Sequence, residues 1–348
     1  MWRRCSVTNA PGTGAGVAAV TAPLDVRRAG DDDLPAVLDL LQASLGWVPD
    51  DAYARFFAWK HRESPFGASP AWVAADPEAG DRVVGFRTFS RWQFRRGGDT
   101  VRAVRAVDTA THPDYQGRGI FTLLTRHALD ELRDVGVAFV FNTPNDRSRP
   151  GYLKMGWQLV ERLPVAATPR SPLSLLRLAR ARTPADKWSA PTGEGVPVAD
   201  LLADEAALAG LLDAADSRDG RLRTHRTPAY LGWRYGFAPL HYRAAVAPGG
   251  VTGGVVIFRL RRRGAALEAA VCEQIVPAGD DRTAPALVRR VLRDTGADHA
   301  VQIGRARPAR GLLPVPGQGP TLVWRDLNET TMPPADRWGL GLGDIELF

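Results

Sequence analysis

The strongest chemical signal in this 348-residue chain is a glycine-spaced turn, His112-Pro113-Asp114-Tyr115-Gln116-Gly117-Arg118-Gly119-Ile120. The run Val104–Thr111 precedes it, and Ile120, Phe121, Leu123, Leu124, Ala128, Leu132 and Val135 follow at helical spacing. Glycines at 117 and 119 relieve the steric penalty on tight backbone geometry and expose successive N–H groups at the start of a helix. There the unsatisfied donors and the helix macrodipole both favour an anion, so strand, turn and helix together predict a phosphate cradle. The competing reading is a tight connection without a ligand. The pattern is neither G-x-x-x-x-G-K-[ST] nor G-x-G-x-x-G, which argues against nucleoside triphosphates and dinucleotides.

The same turn resembles the Q/R-x-x-G-x-G/A signature of the GNAT superfamily of acyl-CoA-dependent N-acyltransferases, usually preceded by a His-Pro or similar pair. Phe121 departs from it, standing where the family carries a small residue. A second element is similar to the family's Asn, Tyr and x-K-x-G-F: Asn145 is followed seven residues later by Tyr152, and Tyr152-Leu153-Lys154-Met155-Gly156-Trp157 completes the pattern with Trp for Phe. The resemblance covers residues 24–165 and extends to the second half only through a repeated scaffold.

That resemblance implies acetyl-CoA or another acyl-CoA as co-substrate, with Gln116, Gly117, Arg118, Gly119, Ile120 and Phe121 around its phosphates and Asn145 also on the donor side. The backbone of Thr109, Ala110 and Thr111 would pair with the pantetheine arm and polarise the thioester oxygen. Tyr152 would protonate the leaving thiol, which with a pKa of about 8.5 leaves better with help from an acid. Asp108, on the same strand, is unfavourable there on propensity and calls for an explanation. Three roles stay open for it: taking the amine proton directly or through water, a structural hydrogen bond, or binding the acceptor. The implied chemistry is direct attack of a small-molecule primary amine on the thioester, since neither cysteine lies near a motif.

Around these residues the spacing predicts a strand over Leu24–Arg28 and helices over Leu34–Ser44 and about Asp51–Arg62. Strands follow at Ala71–Ala75, Val83–Phe89 and Val101–Thr111, then a helix over Gly119–Val135 and a strand at Val137–Phe141. A short helix, Asp146–Met155, and a closing strand, Trp157–Leu163, complete a mixed α/β layer.

The second half repeats the first. Trp59-Lys60 stands six residues before Pro65, and Trp233-Arg234 six before Pro239; Val83–Phe86 answers Thr252–Val255, and Val101–Pro113 spans the interval of Ala265–Pro277. The correspondence fails after Pro277, where Ala278-Gly279-Asp280-Asp281-Arg282-Thr283 replaces the glycine turn with two carboxylates that would repel an anion. The expected fold is therefore α/β, of the mixed α+β kind: two tandem GNAT-like domains, each a twisted, mixed, mostly antiparallel sheet flanked by helices. Residues 1–22 read as a flexible N-terminus and 23–165 as the catalytic domain binding acyl-CoA. A proline-punctuated linker, 166–197, carries one amphipathic helix, Leu173–Arg182, and 198–348 read as a degenerate copy contributing to the acceptor pocket. The closing Gly343–Phe348 is apolar enough to dock, with its carboxylates toward the acceptor.

With 45% hydrophobic and 24% charged residues the composition is that of a globular protein, which excludes disordered and fibrous classes. The net charge of +7 favours anionic partners. Its carriers, almost all arginine beside Lys60, Lys154 and Lys187, are scattered, whereas a nucleic-acid surface needs them clustered. Two alternatives follow: a transferase of the same fold drawing on aminoacyl-tRNA or an acyl carrier protein, and a non-catalytic CoA-binding scaffold. Cys5 and Cys272 form no close pair and the six histidines no H-E-x-x-H, so no metal is expected. No uncharged apolar run approaches the ~18 residues of a membrane span, and a cytoplasmic protein is expected.

Overall fold

The computed structural model describes residues 23–45, 51–174, 177, 183–216 and 220–345. The expected flexible segment 1–22, most of the expected helix Leu173–Arg182, and Glu346–Phe348 lie outside them.

Alternation and helical periodicity turn into β1 (Asp25–Arg28), α1 (Leu34–Leu45), α2 (Asp51–His61), β2 (Ala71–Asp76), β3 (Arg82–Arg96) and β4 (Asp99–Thr111). Then come α3 (Ile120–Asp134), β5 (Phe139–Asn142), α4 (Arg149–Lys154) and β6 (Gln158–Arg162). β3 and β4 extend beyond the expected strands into a long hairpin closed by Gly97-Gly98. α3 buries Ile120, Leu124, Ala128 and Leu132 on one stripe, which packs on one face of the sheet with Val84, Phe89 and Val104. α1 and α2 pack on the other face through Val37, Leu40, Leu41, Phe56 and Phe57.

The second half contributes β7 (Val165–Pro169), β8 (Val196–Pro197), β9 (Arg223–Thr224), β10 (Arg243–Val246), β11 (Val255–Arg263) and β12 (Ala266–Ile275). A helix, Thr283–Thr295, leads to β13 (His299–Ile303), β14 (Leu313–Pro314) and β15 (Thr321–Asp326). Two mixed sheets flanked by helices result, ordered β1-β2-β3-β4-β5-β15-β6, with β9 on β3, and β14-β7-β13-β12-β11-β10-β8. The expected fold class is met. In each sheet a long hairpin is followed by a helix and a parallel strand, β4 with β5 and β12 with β13.

Among the described residues the chain crosses between the sheets four times, from β6 to β7, β8 to β9, β9 to β10 and β14 to β15. β15, from the far end of the sequence, lies antiparallel between β5 and β6, and β7, at the head of the segment expected as a linker, lies beside β13. β5 ends after four residues and its far edge is apolar, so a C-terminal strand carrying Leu322, Val323 and Trp324 can bury itself there.

The halves also meet at their repeated tryptophans. Trp59 Nε1 donates to the Trp233 carbonyl at 2.6 Å and Trp233 Nε1 donates to the Trp59 carbonyl at 2.7 Å, with the rings stacked at 5.6 Å. This reciprocity accounts for tryptophan at both positions without a ligand. Arg261 and Arg263, expected as a solvated hairpin tip, both grip the buried Glu268. Replacing Trp59 by Phe keeps a ring but leaves the Trp233 carbonyl short of a donor. The variant should be about 1–2 kcal/mol less stable, read as a lower urea-unfolding midpoint; an unchanged midpoint would show that the pair does not tie the halves together.

Candidate active site

The glycine turn sits where strand β4 ends. His112 accepts a hydrogen bond from the Asp114 amide, Gly117 and Gly119 adopt φ of 78° and 79°, and Gly119 is the residue from which α3 starts. At these positive φ values an L side chain would be strained, and a Cβ on either glycine would meet only open space. A close approach fixes the turn against the sheet: a Cβ on Gly85 of β3 would come within 2.5 Å of Ile120. Gln116, Gly117, Arg118 and Gly119 are exposed, whereas the Ile120 side chain is core, so Ile120 can offer a ligand only its backbone. Arg118 stacks over Tyr115 at 4.6 Å, and Tyr115 donates to Asp76. A long phosphate-bearing ligand fits this exposed row of turn amides.

In the second half the equivalent turn is closed. The Asp280 carboxylate accepts from the amides of Arg282 and Thr283, both at 2.9 Å, and the Thr283 hydroxyl together with these amides holds it below the usual carboxylate range. It occupies the donors that an anion would need.

β4 and β5 part company just before the turn. Their parallel pairing runs only over Ala103–Phe139, Val104–Val140 and Arg105–Phe141, while β4 continues against β3 through Thr109–Arg87, Ala110–Phe86 and Thr111–Gly85. Among the described residues no strand lies beside the β5-facing edge of Thr109–Thr111. Ser44 of α1 donates to the Thr111 carbonyl at 3.0 Å.

Asp108 is the extra residue of a bulge: Val107 faces Thr88 and Thr109 faces Arg87, leaving Asp108 unpaired with φ of 33°. Its carboxylate is nearly buried and receives Lys60 Nζ at 2.7 Å and His61 Nε2 at 2.8 Å, from the last turn of α2. A carboxylate only accepts, so Nε2 carries the imidazole proton. Burial penalises the Asp108 anion, but Lys60 and His61 outweigh it and hold the group well below the usual carboxylate range. Burial pushes His61 below the ordinary imidazole range. Of the three roles left open for Asp108, these two contacts supply the structural hydrogen bond.

Tyr152 lies on the α3 face, 5% exposed, its hydroxyl accepting from Arg87 Nη1 at 2.8 Å. Phe121 packs edge-on against its ring at 5.3 Å, which explains the bulky residue at that position. A Cβ on Gly151 would meet Phe121 at 3.0 Å, so α4 is cut to fit it. Arg87 also donates to Thr109 Oγ1, tying α4 to the bulge. Asn145, expected on the donor side, has its carboxamide oxygen committed to the amides of Arg147 and Ser148 and the Ser148 hydroxyl, at 2.9–3.1 Å. It shapes the entry to α4, and only its nitrogen is left for a ligand.

Sequence reasoning does not single out Lys60, His61 or Arg87. Signals existed: Lys60 is one of three lysines in an arginine-rich chain, and Arg87 interrupts the apolar run Val83–Phe89. The closing segment docks as expected over Gly343–Ile345. Arg105 of β4 donates to the carbonyls of Asp344 and Ile345, and Arg234 to that of Gly343. Asp344 itself is fully buried on Thr224 and the Gly341 amide, so its carboxylate does not face an acceptor. Among the described residues no cluster of three His, Cys, Asp or Glu could hold a metal, and no helix is long and apolar enough to cross a membrane.

The family model of the acetyltransferase (GNAT) domain matches residues 25–160. No curated protein sequence matches the chain. Among solved structures, a conserved protein of unknown function from Enterococcus faecalis V583, described as a probable N-acyltransferase, is 16% identical with a TM-score of 0.63 over 88% of this chain and 72% of that one. A GCN5-related N-acetyltransferase from Kribbella flavida is 19% identical, with a TM-score of 0.59 over 89% and 72%. One from Anabaena variabilis ATCC 29413 is 13% identical, with a TM-score of 0.61 over 88% and 73%. At these identities the likeness is one of fold, and it embraces both sheets.

Asp108 and His61 make the site acid-sensitive. The folded state holds both below their ordinary ranges, so the unfolded chain binds protons more readily at each. Stability should fall as pH drops through the imidazole range and fall further toward the carboxylate range. Asp108→Asn should cost on the order of 3 kcal/mol at pH 7 and flatten the acid limb; denaturant unfolding from pH 7 to 4 that leaves wild type and variant parallel would contradict this.

Proposed function

We propose that this acyltransferase, whose residues 25–160 belong to the GNAT acetyltransferase domain family, moves an acetyl or other acyl group from coenzyme A to the primary amine of a small molecule. The observation that carries the reading is the parting of β4 from β5 immediately ahead of an exposed glycine turn. An extended pantetheine arm can add to the free edge of Thr109–Thr111 as a strand would, while the turn amides of Gln116–Phe121 take the pyrophosphate.

The two faces of β4 then divide the reaction. On the α3 face Tyr152 stands beside Thr109 through Arg87 and donates its proton to the departing sulfur. On the α2 face the acceptor approaches over the Asp108 bulge, bounded by Lys60, His61 and the segment held by Arg105. Backbone amides of the bulged strand polarise the thioester carbonyl. The neutral amine attacks, the tetrahedral adduct expels the thiol, and amide and free CoA leave. In this reading the chain is two GNAT-like units in tandem. The first binds the donor; the second, its turn closed by Asp280, shapes the acceptor side.

Calorimetric titration with acetyl-CoA and CoA tests the donor site. The wild type should bind both, and Gly119→Glu, which places a carboxylate at the turn and strains its backbone, should weaken binding at least about tenfold with its circular dichroism unchanged. Binding absent from a folded wild type would overturn the acyl-CoA reading and direct attention to aminoacyl-tRNA and acyl carrier protein donors.

A further inference from the structure

Four arginines in the described residues are buried at 4% exposure or less: Arg87, Arg105, Arg234 and Arg259. Three meet backbone carbonyls, Arg105 those of Asp344 and Ile345, Arg234 that of Gly343 and Arg259 that of Lys187. Arg87 differs. Its Nη1 reaches two hydroxyl groups, Tyr152 and Thr109, while Nε and Nη2 have no hydrogen-bond partner among the described residues. No carboxylate pairs with it there. Aromatic rings take the place of a counter-ion, Phe89 at 4.3 Å, Tyr152 at 5.4 Å and Phe121 at 5.5 Å from its central carbon.

We propose that Arg87 is a positioning residue that aims the Tyr152 proton at the leaving thiol and holds the charge this proton leaves behind. The inference rests on the acyl-transfer reading above. Its core is a restriction on roles: arginine has donors only, so in the 2.8 Å contact Tyr152 must accept. The phenol's own proton is thereby left for another partner. When the carbon–sulfur bond breaks, its electron pair goes to sulfur, sulfur takes the Tyr152 proton, and the phenolate oxygen stands against a guanidinium that has no carboxylate to answer. The proton shed by the acceptor nitrogen restores Tyr152 through solvent, so thioester and amine become amide and thiol. Phe121 and Phe89 confine the guanidinium between rings, which limits its movement during the step.

The test uses acetyl-CoA with hydroxylamine, a small amine that is unprotonated at neutral pH, so that the acceptor side needs no base. Thiol release and acetohydroxamate are followed in the wild type, Arg87→Met, Arg87→Lys, Tyr152→Phe and the Met/Phe double variant, with acetyl-CoA affinity measured separately. Arg87→Met should lower kcat at least about tenfold while acetyl-CoA affinity stays within about threefold, and Arg87→Lys should recover much of the loss. In the Tyr152→Phe background the Met substitution should cost less than about twofold, because the two residues act as a unit. The same loss in both backgrounds, or lost affinity with kcat unchanged, would overturn the proposal. A Met variant that does not fold is replaced by Arg87→Gln in the same cycle. A wild type that binds acetyl-CoA but releases no thiol would overturn the acyl-transfer reading itself.

Discussion

Asp108 holds φ at 33°, a backbone state that a residue other than glycine keeps only when its surroundings over-determine it. Here they do: Lys60 and His61, adjacent at the end of α2, both reach its carboxylate, and the anion lies in a setting with little water to screen it. The ion pair draws α2 onto the sheet and fixes the bulge. The bulge inserts one residue into β4, which bends the strand and increases its twist. β4 therefore leaves β5 after Arg105, and the free edge beside Thr109–Thr111 exists because it does. The ion pair thus ties the position of α2 to the bulge. The parting itself goes with the bulge: in the second sheet Cys272 is the extra residue and β12 likewise leaves β13 after Ala270.

The two sheets are not separable pieces. β15 stands between β5 and β6, so the sheet that carries the glycine turn is incomplete without residues from the far end of the chain, and β7 serves the other sheet in return. Reciprocal Trp59 and Trp233 hydrogen bonds close the junction. Within this shared frame the halves differ at the turn after the hairpin. An exposed row of amides in one is occupied by Asp280 in the other, and a helix start so occupied has no unsatisfied donors to offer.

Local patterns were legible from sequence because their causes are local. The stripe on α3, the Gly117 and Gly119 turn and the paired repeat all depend on residues within a few positions of one another or on spacing. The Asp108 anomaly was visible as a carboxylate in a strand. Its resolution was not, because Lys60 and His61 lie more than forty residues away and meet it only through tertiary packing. Strand exchange escaped for a similar reason: nothing in Thr321–Asp326 distinguishes a strand of one sheet from a strand of the other, since both choices bury Leu322 and Trp324. The Asn145 pattern pointed to the correct region, but the asparagine's oxygen caps a turn, a choice its side chain can make wherever amides are within reach.

Arg87 shows where the fold bears a cost. Burying a guanidinium without a carboxylate costs several kcal/mol in effective desolvation, and ring contacts of about 0.5–2 kcal/mol each offset only part of it. Two hydroxyl acceptors supply more, yet two guanidinium nitrogens find no partner among the described residues. A leucine or methionine in this apolar face would pack without that cost. The arginine is therefore poorly explained by stability, whereas its neighbours Thr109 and Tyr152 stand at the parted strands. A charge placed where the fold gains little from it, and where negative charge develops only during bond breaking, is arranged for the reaction and not for the resting protein.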